Sequence, residues 1–349
     1  MVFYYIVIYL RMMINMSQRV TIGDVAKEAG VSVTTVSRII NGHYEKMRPA
    51  TRQRVEDVIA KLHFVPTASA RRLRQNQGHV IGVLVGDISN PFSSLLAKGI
   101  DDVLKTAGYD ILLMNTNNSL DTEVRALQRL YQQQVDGIIV QPNSRHFTPF
   151  NNLVKANIPL TIVDRELVTP PLTVGTVTSA NQDACYQLGK LLQDRGYDNL
   201  LAISAHFAEA SGQIPRIAGL EAAANDFGLS YHNIETRGHN RNWLSTNFTR
   251  QLARLTGRTA VISLMGPVLF DLLNIFKEHH LTFPQDFGLV SFDDWEWSQY
   301  VGNGIFLLKQ DMELMGNYAA RQLLTQVAGH HQTGSTTLLP VEMVDRPSI

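Results

Sequence analysis

The chain reads as two unlike parts in series: an N-terminal all-α head with a helix-turn-helix and a hinge helix, then an α/β body of two doubly wound parallel-sheet lobes. Three observations predict this. First, 31 basic and 31 acidic residues give the 349-residue chain a formal net charge of zero, yet residues 17–78 hold eleven Lys or Arg against five Asp or Glu. The remainder, Arg11 aside, carries seven more acids than bases. A basic head on an acidic body is expected where only one end meets a polyanion. Second, two short apolar-periodic segments lie close together near the N-terminus, separated by a tight turn. Third, beyond residue 80 apolar strand-like runs alternate with amphipathic stretches of helix length, the pattern of parallel sheets covered on both faces. A body of about 270 residues is long for one such sheet and comfortable for two. With 44% hydrophobic residues the chain can bury a sizeable core, and its single cysteine excludes a disulfide framework or a multi-cysteine metal site.

The first ten residues, MVFYYIVIYL, are apolar but too short to span a bilayer, with no basic residue before them and no small-residue cleavage site. Translation is expected to start at Met12, Met13 or Met16, so residues 1–18 are set aside as a leader foreign to the fold. Thr21 with Asp24 three residues later makes a capping-box start, and Val25, Ala26 and Ala29 form one apolar stripe. Gly30 supplies the left-handed residue that stops this helix. Ser32 can cap a second helix over residues 33–41. At about 100° per residue, Thr34, Ser37, Arg38 and Asn41 share a polar, basic face, while Val36, Ile39 and Ile40 share an apolar one. A third helix is expected over residues 49–62, with Val55, Val58, Ile59 and Leu62 in the core and Arg52 and Arg54 either on phosphate or solvated.

The run VTIGDVAKEAGVSVTTVSRIING, residues 20–42, resembles the DNA-binding head of the lactose/galactose repressor (LacI/GalR) family nearly position for position. The resemblance implies that Val33, Thr34 and Arg38 read base edges in the major groove, Arg38 suiting guanine because a guanidinium donates two bonds to one base edge. Thr21, Ser32, Thr35 and Asn41 would make phosphate or nearby contacts that hold register, and Ser37, on the same polar face, is counted with the DNA-binding residues. The segment HYEKMRP, residues 43–49, is one residue longer than in the lactose repressor. Residues 66–78, PTASARRLRQNQG, are helix-forming but span only about two turns, a marginal length for an isolated helix. By resemblance this is the hinge, with Leu73 the wedge that opens a base step in the minor groove and Arg72 among the charges beside it. The expected divisions are 19–65 for the helix-turn-helix domain, 66–78 for the hinge helix and 79–349 for an effector-binding and dimerisation domain.

In the body, strands are expected over residues 80–85, 110–114, 137–140, 160–163, 200–203, 260–264 and 288–292. The resemblance extends to a type I periplasmic sugar-binding fold. Chain crossings near Asp164, Phe292 and Thr325 would then give one lobe of about 79–163 and 293–324 and another of about 164–292 and 325–349. Ligands of such folds bind between the lobes at the carboxyl ends of strands. Carried over residue by residue, the effector contacts would be Phe92 in the DISNPF loop (residues 87–92), Gln141, Arg165, Arg216, Trp243, Asp293, Trp295 and Gln310. Plainer readings stand beside these: Asp293 as a loop cap, the tryptophans as core, Arg165 in an interlobe salt bridge. Two departures from the family pattern, Met265-Gly266 and Ala180-Asn181 where polar pairs are usual, favour a sugar acid or keto-sugar over a neutral hexose, with Arg216 or Arg165 on its carboxylate.

No G-x-G-x-x-G, Walker A, G-x-S-x-G or H-E-x-x-H occurs, so no enzyme, metal or cofactor is expected. The pairs His279-His280 and His330-His331 diverge by about 100° on a helix and read as solvated ends. The expected partners are operator DNA, a carbohydrate effector and a second copy of the chain, because one head reads only a half-site. The expected role is a cytoplasmic, effector-controlled transcriptional repressor of a carbohydrate operon. A transport-associated sugar-binding protein fits the body equally well, but would have no use for the head.

Overall fold

A computed structural model describes residues 20–40, 42–44, 47–64, 78–205, 211–293, 296–330 and 334–349. They fall into two compact units that part between Gly78 and His79. The first holds α1 (Ile22–Ala29), α2 (Val33–Ile40) and α3 (Pro49–Lys61). At the start of α1 the Thr21 side chain accepts the Asp24 amide while the Asp24 carboxylate takes the Thr21 amide at 2.8 Å, a complete capping box. Gly30 sits at φ 62°, where only glycine is unstrained, and its N–H reaches back to Ala26 and Lys27. Ser32 Oγ accepts the Thr35 amide at 3.2 Å and so caps α2. Val25, Ala26, Ala29, Val36, Ile39, Val55 and Phe64 form one small core, with Val58, Ile59 and Leu62 packed against it.

The second unit runs β1 (Val80–Val85), α4 (Pro91–Thr106), β2 (Asp110–Asn115), α5 (Leu120–Gln132), β3 (Gly137–Val140), α6 (Asn151–Lys155), β4 (Leu160–Val163), β5 (Gly175–Ser179), α7 (Asn181–Asp194), β6 (Asn199–Ser204), α8 (Gln213–Phe227), β7 (Ser230–Glu235), α9 (Arg241–Leu252), β8 (Thr259–Ser263), α10 (Gly266–Glu278), β9 (Gly288–Phe292), β10 (Phe306–Lys309), α11 (Met312–Val327), β11 (Thr336–Leu339) and β12 (Glu342–Val344). Two six-stranded sheets result, ordered β11-β5-β4-β3-β1-β2 and β12-β10-β9-β8-β6-β7. The first is parallel throughout; in the second β12 alone pairs antiparallel, with β10. Central strands such as β3, β4 and β9 are buried along their whole length, as strands covered on both faces must be. Each sheet has a separate apolar core on either face.

The lobe boundaries differ from those expected. The chain passes between lobes at residues 179–181, 309–312 and 339–342, not near Asp164, Phe292 and Thr325. After Asp164 and after Asp293 it stays in the same lobe and adds one more strand, β5 and β10. The β5 sequence, GTVTS, is too polar to announce a strand buried on both faces, although all five of its residues are buried. Among the described residues, no helix is long and apolar enough to cross a membrane.

Candidate functional site

In the head, α2 presents Ser32, Val33, Thr34 and Arg38 to solvent while Val36 and Ile39 anchor it from the other side. Val33 is 47% exposed. Thr35 is half-buried and hydrogen-bonded through its hydroxyl to Ser32 at 2.9 Å. Ser37 is a correction: it is 4% exposed and belongs to the core, not to the open face. The reason is that α2 packs on both α1 and α3, so its buried arc is wider than one apolar stripe suggests. Thr21 is exposed but bound up in its own capping box. Arg52 stacks over Tyr44 at 3.8 Å and pairs with Glu56 at 2.7 Å, so its charge is already engaged locally. Asn41, Arg72 and Leu73 lie outside the described residues.

In the body, the carboxyl ends of both sheets face one cleft. Its inner part, about 400 Å³ and open to solvent, is lined by Phe92, Gln141, Asp164, Arg165, Arg216, Met265 and Asp293, with Asn90, Gly212 and Gln213. Its outer part, about 860 Å³, shares Asn90, Gln141, Arg165 and Met265 with the inner one and adds Asp87, Thr236, His239 and Arg241 among others. Strand ends place these groups. Asp164 follows β4 and Asp293 follows β9, each at φ 67°, a left-handed geometry that aspartate tolerates better than most residues. Each gives its N–H to the adjacent strand, Asp164 to Val177 at 2.8 Å and Asp293 to Leu308 at 3.1 Å. The two lobes thus offer one carboxylate apiece through the same local device.

The lobe-one side is a tight polar lattice. Gln141 accepts the Gly86 amide at 2.7 Å and donates to Asp164 at 2.7 Å. The Arg165 guanidinium donates to Asn118 and Asn143 side-chain oxygens at 2.9 Å each and to the Pro142 carbonyl at 3.2 Å, with Asp164 at 3.7 Å. A Cβ at Gly86 would lie 2.6 Å from Asn118 Oδ1 and 2.9 Å from Arg165 Nη2, so a glycine is required for the arginine to lie where it does. On the lobe-two side, Arg216 is held by Asn181 at 2.9 Å, the Leu264 carbonyl at 2.5 Å and the Gln310 side-chain oxygen, and stacks 3.7 Å above Phe292. Asp293 is 8% exposed, and its Oδ1 is buried without a hydrogen-bond partner among the described residues. Burial pushes its carboxyl up to about 6; the Arg216 charge opposes this and the Asp164 charge adds to it.

The cleft therefore brings together Phe92, Gln141, Arg165, Arg216 and Asp293 from separate stretches of sequence. Gln310 is buried behind Arg216 and props it, and does not line the cavity. Trp243 also stands back: it stacks at 4.2 Å on His239, and it is the histidine that lines the outer cleft. Trp295 lies outside the described residues. Sequence reasoning passed over Asn118, Asn143 and His239 as cleft or supporting residues, although position just beyond a strand end was a usable signal for the first two.

Comparison with known proteins bears on both units. The profile of bacterial regulatory proteins of the lacI family matches residues 21–67. The profile of periplasmic binding proteins and the sugar-binding domain of the LacI family matches residues 78–242, and a periplasmic-binding-protein-like domain matches residues 189–349. The chain is 33% identical over 318 residues to the HTH-type transcriptional regulator PtxS of Pseudomonas putida, covering 89% of this chain and 91% of that protein. It is 29% identical over 334 residues to the HTH-type transcriptional regulator KdgR of Bacillus subtilis, covering 94% and 97%. In fold it is similar to the Lac repressor bound to ONPG in its repressed state, with a TM-score of 0.77 at 22% identity over 95% of this chain and 100% of that one.

Proposed function

The chain belongs to the LacI family of DNA-binding transcriptional regulators with a sugar-binding type of body, and from that premise we propose that it is a homodimeric repressor of a carbohydrate-utilisation operon controlled by a sugar acid or keto-sugar. The observation that carries the effector reading is Asp293. A carboxyl oxygen buried on a cleft floor with no partner is costly unless something supplies a donor, and a sugar hydroxyl does so. Of the two arginines we assign the carboxylate to Arg165, because it lines both parts of the cleft whereas Arg216 lines the inner part alone. Phe92 and Gln141 would flank the ligand.

On this reading residues 19–65 form the DNA-binding domain. Arg38, Val33 and Thr34 read base edges, and Thr21, Ser32, Thr35 and Asn41 hold the backbone. Residues 66–78 form the hinge, ordered on operator DNA with Leu73 wedged in the minor groove and Arg72 beside it. Residues 79–349 bind effector and pair the two copies, and the protein works in the cytoplasm. A head of exposed polar and basic side chains on α2 favours this over a transport-associated sugar binder. Thermal-shift screening of the full chain against sugar acids, keto-sugars and neutral sugars tests the effector class, since a ligand at 100 times its Kd stabilises by about 2.7 kcal/mol. Stabilisation by neutral hexoses alone contradicts it.

A further inference from the structure

Beneath the cleft lies a carboxylate that the proposed function does not use. Glu123, in the first turn of α5, is fully buried, with 0% of its surface exposed. Its Oε2 accepts the Asn143 amide at 2.6 Å, the Ser144 amide also bonds to the carboxylate, and its Oε1 has no hydrogen-bond partner among the described residues. Burial raises its pKa, opposed by those two amides and by the field of Arg165. Burying an acid on helix stability alone makes little sense, because exposed acids serve the first turn of a helix at no desolvation cost.

What Glu123 grips explains the cost. Asn143 has its backbone N–H on Glu123, its Nδ2 on Thr116 Oγ1 at 2.7 Å and its Oδ1 on Arg165 Nη1 at 2.9 Å. Thr116 passes the restraint to β1 through the Val85 carbonyl at 3.0 Å. The carbonyl just before Asn143, that of Pro142, is the second acceptor on the same Arg165 nitrogen. The turn that seats the guanidinium is therefore fixed from below by one carboxylate. We propose that Glu123 is a positioning residue: through Asn143 it sets where Arg165 presents its charge to the effector. This rests on the reading that Arg165 meets the ligand.

The test uses the full chain. Melting temperatures of E123Q, R165M and the double variant are measured without ligand, in the native background and again with N143A. Glutamine keeps the volume and an acceptor oxygen but removes the charge, so both amide bonds weaken and the turn loosens. The two substitutions are expected to be non-additive by about 2 °C or more, and clearly less so once Asn143 is alanine, which leaves only the backbone link through Pro142. Additivity in the native background overturns the proposal. Non-additivity that N143A leaves undiminished also overturns it, because the coupling would then bypass the Asn143 side chain. If E123Q does not fold, E123D, which keeps the charge but draws it back by one methylene, takes its place. In a second arm D-gluconate is titrated into the native protein and E123Q, with affinity for the gene's upstream DNA measured alongside. An affinity loss of about tenfold for D-gluconate with DNA affinity unchanged is expected, and no loss refutes the proposal. Should D-gluconate bind neither protein, the ligand-free cycle alone decides the role of Glu123.

Discussion

Replacing Asp293 by asparagine should stabilise the protein at neutral pH while abolishing its response to effector. The carboxyl is held at about 6 in the folded state against 3.8 in its ordinary setting, chiefly because burial penalises the charge. The folded state thus binds the proton more tightly than the unfolded one. Stability is full below the ordinary value, falls as pH rises through the interval up to about 6, and stays low above it. The difference of about two pH units corresponds to about 3 kcal/mol at pH 7 to 8. Asparagine has nearly the same shape and no charge to desolvate, so this loss disappears. For a unit of this size the Tm of Asp293→Asn should exceed that of the native protein by about 6 °C or more at pH 8 and match it only below the ordinary value of 3.8. Calorimetry of both proteins across that range reads the difference directly, and titrations common to both cancel. A difference curve that is flat with pH, or an asparagine variant less stable at pH 8, would refute the claim that this carboxylate is held at a cost for the sake of a ligand.

Three further outcomes are expected. Arg38→Ala should lose about 1–3 kcal/mol of discrimination at one base pair, with the remaining operator positions unchanged, in a binding series of single-base operator variants. Leu73→Ala should weaken specific binding more than non-specific binding in competition gel shifts, and equal loss of both would remove the wedge from the account. Gly86→Ala puts a methyl group where Asn118 and Arg165 now meet, so it should weaken sugar-acid binding through displaced charge, with the head's affinity for DNA untouched, by calorimetric titration and gel shift.

Much of the fold is legible in the chain because its local signals agree with one another. The capping box at Thr21 and Asp24, the glycine at residue 30 and Ser32 before α2 delimit the head helices almost to the residue. Ser37 misleads because a helical wheel shows one stripe, whereas α2 is wedged between two neighbours. The lobe boundaries mislead for a related reason: Asp164 and Asp293 end strands as expected, but one further short strand on each side precedes the crossing, and in β5 threonine and serine hide it. In the cleft, Phe92, Gln141, Arg165, Arg216 and Asp293 converge because residues at strand ends and helix starts of a doubly wound sheet meet there whatever their separation in sequence. Gln310 and Trp243 illustrate the limit, since neighbourhood in sequence cannot say whether a side chain faces the cavity or backs a residue that does. Glu123 shows no sign in the sequence at all: an acid in the first turn of a helix ordinarily means an exposed complement to the helix dipole, and only the packing of α5 over the 142–144 turn makes it a buried support.

The account rests on a head that grips DNA and a cleft that answers to a ligand in the same molecule. Fluorescence anisotropy of the full chain on its gene's own upstream DNA, over a range of salt and with sugar acids or neutral sugars added, tests both at once. The account predicts specific binding that weakens steeply with salt and shifts on adding a sugar acid but not a neutral hexose. Absence of binding at low salt, with or without any of the sugars, would contradict it.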